Sequence, residues 1–316
     1  MNLTNKLEIK KLFEKYDARP EKYLGQHFIL SKKALDSMIS AAEIKAGDNI
    51  VEIGPGLGAL TQELAKTSAN IIAIEKDQLM VRILKETLAD YKNVRIIQAD
   101  ARQIWRCSPK AARQVSKSSK SDFDTFGDKL GINYNGSNYK IVANLPYNAA
   151  TFLIRKWLES NPPTGGQPEL MVLMIQKEVA QRIVAKPPHM NLLAVSIQFY
   201  ATAKIIGYVP KESFWPKPKV DAAIIKITPH KKEMSSLASG RQLMKTFITE
   251  RSFFAVAKAG FSQPRKQLIG NLSKKLNMPR EKLTQAFKDS KISEQIRAEN
   301  LTLDQWQNVA LKLIHN

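Results

Sequence analysis

Several short stretches of this 316-residue sequence combine residue types and spacings that could do chemistry. In Gly54-Pro55-Gly56-Leu57-Gly58, three glycines alternate between a short apolar run and a helical pattern. A turn of this kind lets the backbone pass close to a ligand where any Cβ would clash, and the amides of the next helical turn point at that ligand. Glu75 closes the apolar run Ile71-Ile72-Ala73-Ile74, Asp100 falls in Gln98-Ala99-Asp100-Ala101, and Asn144 follows Ile141-Val142-Ala143. These three polar groups stand at the C-terminal ends of successive strands, the edge at which open α/β sheets bind ligands. Glu75 is placed to hold two ribose hydroxyls, and Asp100 to accept from the exocyclic amine of an adenine. One acid at a strand end reads as solvation, whereas three groups in register read as a nucleoside site. The spacing G-x-G-x-G, in place of the G-x-G-x-x-G that sets helix amides against a pyrophosphate, suits S-adenosylmethionine better than a dinucleotide.

Asn144-Leu145-Pro146-Tyr147 is the most specific of these features. The exocyclic amine of adenine is a poor nucleophile because its lone pair is delocalised into the ring. Two acceptors, the Asn144 side-chain oxygen and the Pro146 carbonyl, could hold its two protons and favour the charge that develops as nitrogen attacks a methyl group. Pro146 keeps Leu145 extended, so the carbonyls are presented instead of being lost into a helix. Tyr147 offers a ring face to a target base, as in flipped-base pockets.

The elements that must position these residues follow from the periodicity. Strands over 49–53, 71–75 and 94–97 alternate with helices over 57–67 and 77–90, with Asp77 as a cap; three such units predict a parallel sheet with helices on both faces. A helix through Ala42 starts at Ser31 as its N-cap. Residues 1–22 form a polar lead with one amphipathic turn around Leu12 and Phe13. Residues 106–138, rich in Ser, Asn and Gly, read as a surface insertion with a helix at 108–115. Beyond it come strand 141–143, helix 149–159, strand 170–175, helices 177–185 and 191–201, and strands 203–208 and 222–228, giving a seven-stranded Rossmann-like sheet with an antiparallel strand at one edge. After Pro229-His230-Lys231-Lys232 the pattern is wholly helical (241–250, 252–260, 264–273, 279–288 and 303–313). The expected organisation is a catalytic domain over 1–230 and a small all-helical domain over 231–316.

Composition narrows the partners. Forty-nine Lys and Arg against 29 Asp and Glu give a net charge of +20, which predicts a polyanionic partner, nucleic acid before membrane. Lys217 and Lys219 in the first domain, and Arg251, Lys258, Arg265 and Lys266 in the second, are the candidate nucleic-acid contacts. No apolar run is long enough to span a membrane, and the N-terminus lacks the features of a signal or transit peptide. Cys107 is the only cysteine, which fits a reducing compartment. The scattered histidines His27, His189, His230 and His315 show no metal-ligand spacing, so no metal is expected. A cytoplasmic monomer is the expectation.

These motifs together resemble those of the KsgA/Dim family of small-subunit ribosomal RNA adenine N6,N6-dimethyltransferases. Gln26-His27-Phe28-Ile29 is similar to the family's N-terminal cofactor motif, Glu52-Ile53-Gly54-Pro55-Gly56-Leu57-Gly58 to its glycine motif, and Asn144-Leu145-Pro146-Tyr147-Asn148 to its catalytic motif. Phe214-Trp215-Pro216-Lys217-Pro218-Lys219-Val220 resembles its F-x-P-x-P-K-V motif, and Ala259–Lys266 and Arg297–Leu301 resemble segments of its helical domain. The resemblance covers almost the whole chain. It implies that His27, Ile29, Gly54, Gly56, Glu75, Asp100 and Asn144 contact S-adenosylmethionine, and that Tyr147 and Phe214 sandwich the target adenine. It further implies dimethylation of two adjacent adenosines in the hairpin loop near the 3′ end of small-subunit RNA, on the RNA or the 30S pre-ribosomal particle. Ser31, where the family often has Asp, and the insertion at 106–138 depart from the pattern. The alternatives are a large-subunit ribosomal RNA methyltransferase of the antibiotic-resistance type, which more often reads Asn-Ile-Pro-Tyr, and a ribosome-assembly factor with idle catalysis.

Overall fold

A computed structural model describes residues 1–21, 25–104, 139–159, 167–230 and 250–315. The expected insertion at 106–138, its helix at 108–115 and nearly all of the helix at 241–250 lie outside the described residues. Those described form two compact units, Met1–Ala180 with Thr202–Pro229, and Gln181–Ala201 with His230–Asn316.

In the first unit, a seven-stranded sheet is built from β2 (Asn49–Ile53), β3 (Asn70–Glu75), β4 (Val94–Gln98), β5 (Tyr139–Asn144), β6 (Leu170–Gln176), β7 (Ala201–Val209) and β9 (Ala222–Pro229). Their order across the sheet is β4-β3-β2-β5-β6-β9-β7. Strands β2 to β6 run parallel, and β9 pairs antiparallel with β6, Leu173 opposite Ile225. The antiparallel strand therefore lies inside the sheet, not at its edge as expected, and β7 takes the edge. The sequences explain the exchange. Ala222–Ile225 is apolar at every position and buried on both faces, whereas β7 keeps polar residues such as Thr202 and Lys204 exposed or half-buried.

Helices α1 (Lys6–Lys15), α2 (Lys32–Ala42), α3 (Ala59–Ala65), α4 (Gln78–Thr87), α5 (Ala101–Ile104), α6 (Ala150–Glu159) and α7 (Lys177–Ile183) supply the connections. Ser31 caps α2 through the Ala34 amide, and Asp77 caps α4 through the Leu79 amide. The N-terminal lead forms a full helix where a single turn was expected. Asn5 accepts from the amides of Leu7 and Glu8, and Ile9, Leu12 and Phe13 bury with Phe28 and Leu57. A two-stranded ribbon joins β1 (Phe28–Ile29) to β8 (Phe214–Trp215), with Ile29 opposite Phe214.

The second unit contains α8 (Leu192–Gln198), α9 (Glu250–Gly260), α10 (Leu268–Leu276), α11 (Arg280–Asp289) and α12 (Leu303–His315). Residues Gln181–Ala201, which the sequence reading assigns to the first domain, pack here instead. The Met190 amide donates to the Glu299 carbonyl, and the Phe199 ring stacks on Phe253 at 4.5 Å. At Gly260 a Cβ would lie 2.4 Å from Cη2 of the buried Trp306, so α9 and α12 approach as closely as they do because the side chain is missing.

Candidate nucleoside and methyl-transfer site

The C-terminal ends of β2, β3, β4 and β5 open onto a cleft of about 350 Å³. Every proposed cofactor residue (His27, Ile29, Gly54, Gly56, Glu75, Asp100 and Asn144) lines it, as do the proposed catalytic residues Pro146, Tyr147 and Phe214.

The glycine turn is tightly specified. Gly56 has φ +59°, and a Cβ there would sit 3.1 Å from Phe28 Cε1. The turn's amides are also spent internally. Gly54 N–H donates to the Ile74 carbonyl at 2.9 Å, Gly56 N–H to Glu75 Oε2 at 3.2 Å and Gly58 N–H to the Pro55 carbonyl at 3.0 Å. A pyrophosphate would find these donors occupied and would face the carboxylates of Glu75 and Asp100, so the turn fits an uncharged or cationic group better than an anionic one.

Glu75, at the tip of β3 and only 8% exposed, accepts from three backbone amides. Oε1 takes those of Lys76 (2.7 Å) and Asp77 (2.9 Å), and Oε2 takes that of Gly56. Burial nonetheless raises its pKa, outweighing the amides, which act to lower it. A carboxylate has about four lone-pair sites, so one remains for a hydroxyl. Asp100 is held from the other side by a residue the sequence reading did not single out. Arg102 donates through Nε to Oδ1 (3.0 Å) and through Nη2 to Oδ2 (2.7 Å), and its own amide also bonds Oδ1. This clamp, with Lys76 Nζ at 3.5 Å, depresses the Asp100 carboxyl to about 2. Arg102 is half exposed, so it can yield one oxygen to an incoming amine at small cost.

At the tip of β5, Asn144 Nδ2 donates to the His27 carbonyl at 3.3 Å, which leaves the side-chain oxygen as the acceptor. The Pro146 carbonyl takes the Ala149 amide at 3.0 Å in the turn that starts α6 and retains its second lone pair. The Tyr147 ring is half buried and stacks on His27, centroids 5.9 Å apart and planes at 29°, while its hydroxyl is buried without a partner. His27 Nδ1 donates to the Pro216 carbonyl at 2.6 Å, since a carbonyl can only accept. Phe214 borders the cleft with 4% exposure, packed among core residues including Leu35 and Met38. Its ring is thus part of the cleft wall more than an open face.

Two more lining residues were named in the sequence only as members of motifs and given no role there. Gln26 Nε2 donates to Asp77 Oδ2 at 2.9 Å and ties the approach to β1 to the cap of α4. Glu52, on β2, is 1% exposed. Its signal was present in the sequence: a lone acid inside a run that is otherwise apolar up to the glycine turn.

Of the candidate RNA contacts, Lys217 and Lys219 are exposed on the segment after β8, and Lys217 pairs with Glu212 at 2.6 Å. Arg251 and Lys258 are exposed on α9, and Arg265 and Lys266 on the turn before α10, all in the helical unit. There Lys266, Lys274 and Lys275 line one shallow groove. Among the described residues, no helix is long and apolar enough to cross a membrane.

A mostly parallel seven-stranded sheet with its glycine turn, acids and Asn-Leu-Pro-Tyr segment around one cleft is the architecture of an α/β methyltransferase. A family model described as ribosomal RNA adenine dimethylase matches residues 18–315, and the chain belongs to that family. It is 35% identical over 309 residues to the ribosomal RNA small subunit methyltransferase A of Dehalococcoides mccartyi, covering 98% of this chain and 94% of that one. The protein of the same name from Bacillus licheniformis is 34% identical, with 96% and 95% covered. Two solved structures share the fold: a dimethyladenosine transferase from Plasmodium falciparum (TM-score 0.63, 23% identity, 90% and 96% covered) and the 23S rRNA methyltransferase ErmE (TM-score 0.63, 19% identity, 90% and 99% covered).

Proposed function

We propose that this protein dimethylates N6 of two adjacent adenosines in the 3′-terminal hairpin loop of small-subunit (16S) ribosomal RNA, using S-adenosylmethionine, during maturation of the small subunit. The observation that carries the reading is the convergence of Glu75, Asp100 and Asn144-Leu145-Pro146-Tyr147 on one cleft, in a chain of the ribosomal RNA adenine dimethylase family.

The residues divide the work. Glu75 holds a ribose hydroxyl and Asp100 the adenine amine of the cofactor, while Gly54 and Gly56 let the backbone lie against it. When bound, the cofactor supplies a methyl group on a positively charged sulfonium, activated for attack. Asn144 and the Pro146 carbonyl hold the two N6 protons of the target adenine, which aims the nitrogen lone pair and stabilises the charge that grows on it. As the new N–C bond forms, the methyl group's bond to sulfur would break and N6 gives up a proton to solvent; after cofactor exchange the monomethylated amine, whose one remaining N–H can donate to only one of the two acceptors, reacts a second time. Tyr147 stacks on the base, and Phe214 bounds it as part of the cleft wall. This role asks Tyr147 to leave its stack on His27, a rotation driven by the exchange of one aromatic partner for another.

Lys217, Lys219, Arg251, Lys258, Arg265 and Lys266 neutralise RNA phosphates, in keeping with the net charge of +20. The protein acts as a monomer in the cytoplasm, on the 30S pre-ribosomal particle. The small-subunit reading is supported over the large-subunit one by relatives above 30% identity that carry the small-subunit name. Nucleoside digestion of treated small-subunit RNA tests the chemistry. Dimethyladenosine at N6 is expected, and a product methylated on another base or atom would end the reading.

A further inference from the structure

Beyond Tyr147, three strand ends of the first unit meet outside the cofactor cleft. The Lys177 amide, just past β6, donates to the Asp221 carbonyl at 3.0 Å. The Lys211 amide, just past β7, donates to Asp221 Oδ1 at 3.2 Å. The ends of β6 and β7 thus join the start of β9, at the sheet edge where parallel β5 presents Asn144. Tyr147 lies within range of the Asp221 charge, which adds to burial in raising its pKa. Asp221 in turn pairs with Lys177 Nζ at 3.7 Å, and the same Nζ stands over the Tyr208 ring, 5.2 Å from its centroid. Tyr208, near the end of β7, is 54% exposed, and neither it nor Lys177 lines the cofactor cleft. One exposed tyrosine on an edge strand needs no explanation by itself, because tyrosine suits strands and single apolar groups are common on surfaces. This one has a cation braced over its ring and shares the edge with the exposed Val220 and with Lys211 and Lys219. The neighbouring acids are already matched, Glu212 by Lys217 and Asp221 by Lys177, while Lys211 and Lys219 form no ion pair among the described residues. An aromatic face among lysines is the composition that suits a single strand of nucleic acid.

We propose that Tyr208, braced by Lys177, is a stacking ledge for a base that flanks the target adenine in the RNA strand. The inference rests on the RNA reading above. A base enters the target pocket only when its strand is unstacked around it, which leaves neighbouring bases with their faces in water. An aromatic ring held along the strand's path recovers part of that lost stacking. The path is short: β7 lies three strands from β5, about 14 Å at ~4.8 Å per strand, and crosses the Lys177–Asp221 junction on the way. The Lys177 ammonium holds one side of the ring, so the exposed remainder is the surface offered to a base. Lys211 and Lys219 are placed to neutralise the phosphates on either side of it. Every base has a π face, so the ledge adds grip on the strand without reading the base's identity.

Fluorescence anisotropy of the full-length protein tests this, with a synthetic hairpin that carries the 3′-terminal loop of small-subunit RNA. Tyr208→Leu should bind the hairpin about tenfold more weakly, and Tyr208→Phe, which keeps the ring, within twofold of the wild type. Affinity for S-adenosylmethionine, measured alongside, should be the same in all three proteins. Hairpins with one base at a time removed from the loop then locate the partner. At one position, loss of the base should weaken the wild type by a similar factor and leave Tyr208→Leu unaffected. Binding by Tyr208→Leu within twofold of the wild type overturns the inference, as does an equal loss in Tyr208→Phe. A Tyr208→Leu deficit that persists on every abasic hairpin overturns it too. A wild type that does not bind the hairpin overturns the RNA reading and this inference together. Binding with the expected Tyr208 effects but methylation at another atom overturns the proposed function and leaves the ledge standing.

Discussion

Replacing Glu75 by glutamine keeps the size of the side chain and removes one acceptor. The carboxylate holds the amides of Lys76 and Asp77 on one oxygen and that of Gly56 on the other. A glutamine carbonyl can keep the first two, but its NH₂ must then face the Gly56 N–H, donor against donor. One buried donor left unmatched costs ~1–3 kcal/mol, and a lost charge-assisted acceptor for a ribose hydroxyl costs ~1.5–3 kcal/mol more on binding. The first cost falls on folding with or without cofactor, whereas the second appears in binding alone. The two are therefore separable. Calorimetry should show S-adenosylmethionine binding weakened by roughly 10- to 100-fold. Thermal unfolding of the free protein should fall by ~2–4 °C for each kcal/mol of the folding cost. The pH dependence adds a sign. Because burial raises the Glu75 pKa, the wild type's carboxyl contributes stability that is present at low pH and lost as pH rises through the folded value. The neutral glutamine lacks that loss, so the stability gap between variant and wild type should narrow from pH 5 to pH 8. Affinity within twofold of wild type in a folded variant would refute the ribose role, and a gap that widened with pH would refute the electrostatic reasoning.

Three further outcomes follow from the same geometry. Asn144→Ala removes the acceptor proposed to aim the target amine, and the single-turnover methyl-transfer rate should drop on the order of a hundredfold; a near wild-type rate would remove Asn144 from the chemistry. The Glu52 carboxyl, raised to about 8 in the fold from an ordinary value of 4.5, contributes stability that is complete below the ordinary value and disappears as pH rises through 8. Between pH 5 and pH 8 the free protein should lose ~3 kcal/mol through this group, and chemical denaturation of Glu52→Gln should lack that loss; parallel pH profiles for the two proteins would contradict it. RNA affinity should fall steeply and log-linearly with salt, and substitution of Lys266 or Arg265 by Ala should lower the slope by about 1 each; a slope unchanged in both variants would exclude those side chains as phosphate contacts.

Much of this site was legible because an open α/β sheet gathers its functional groups at strand ends, and strand ends are marked in sequence. The apolar run up to Glu75, and the one before Asn144, end where the structure ends β3 and β5. What escaped depends on contacts across the chain. Arg102 reads as one more surface arginine until Asp100 is seen between its nitrogens. Glu52 stands out in the sequence as a lone acid in an apolar run, but the burial of both faces of its strand shows only in the fold. The place of β9 inside the sheet turned on the burial of both its faces, which a short apolar run does not reveal. The allegiance of Gln181–Ala201 was hidden for a similar reason: α8 has an apolar face that could have packed on the sheet, and Phe199 meets Phe253 only in the fold.

The central claim is the identity of the modified nucleotides. Undermethylated 30S particles and 50S subunits, offered together to the protein with labelled S-adenosylmethionine and mapped by primer extension, test it most directly. Dimethylation is expected only at two neighbouring adenosines in the 3′-terminal hairpin loop of the small-subunit RNA. Label in the large-subunit RNA, or at scattered single adenosines, would contradict it.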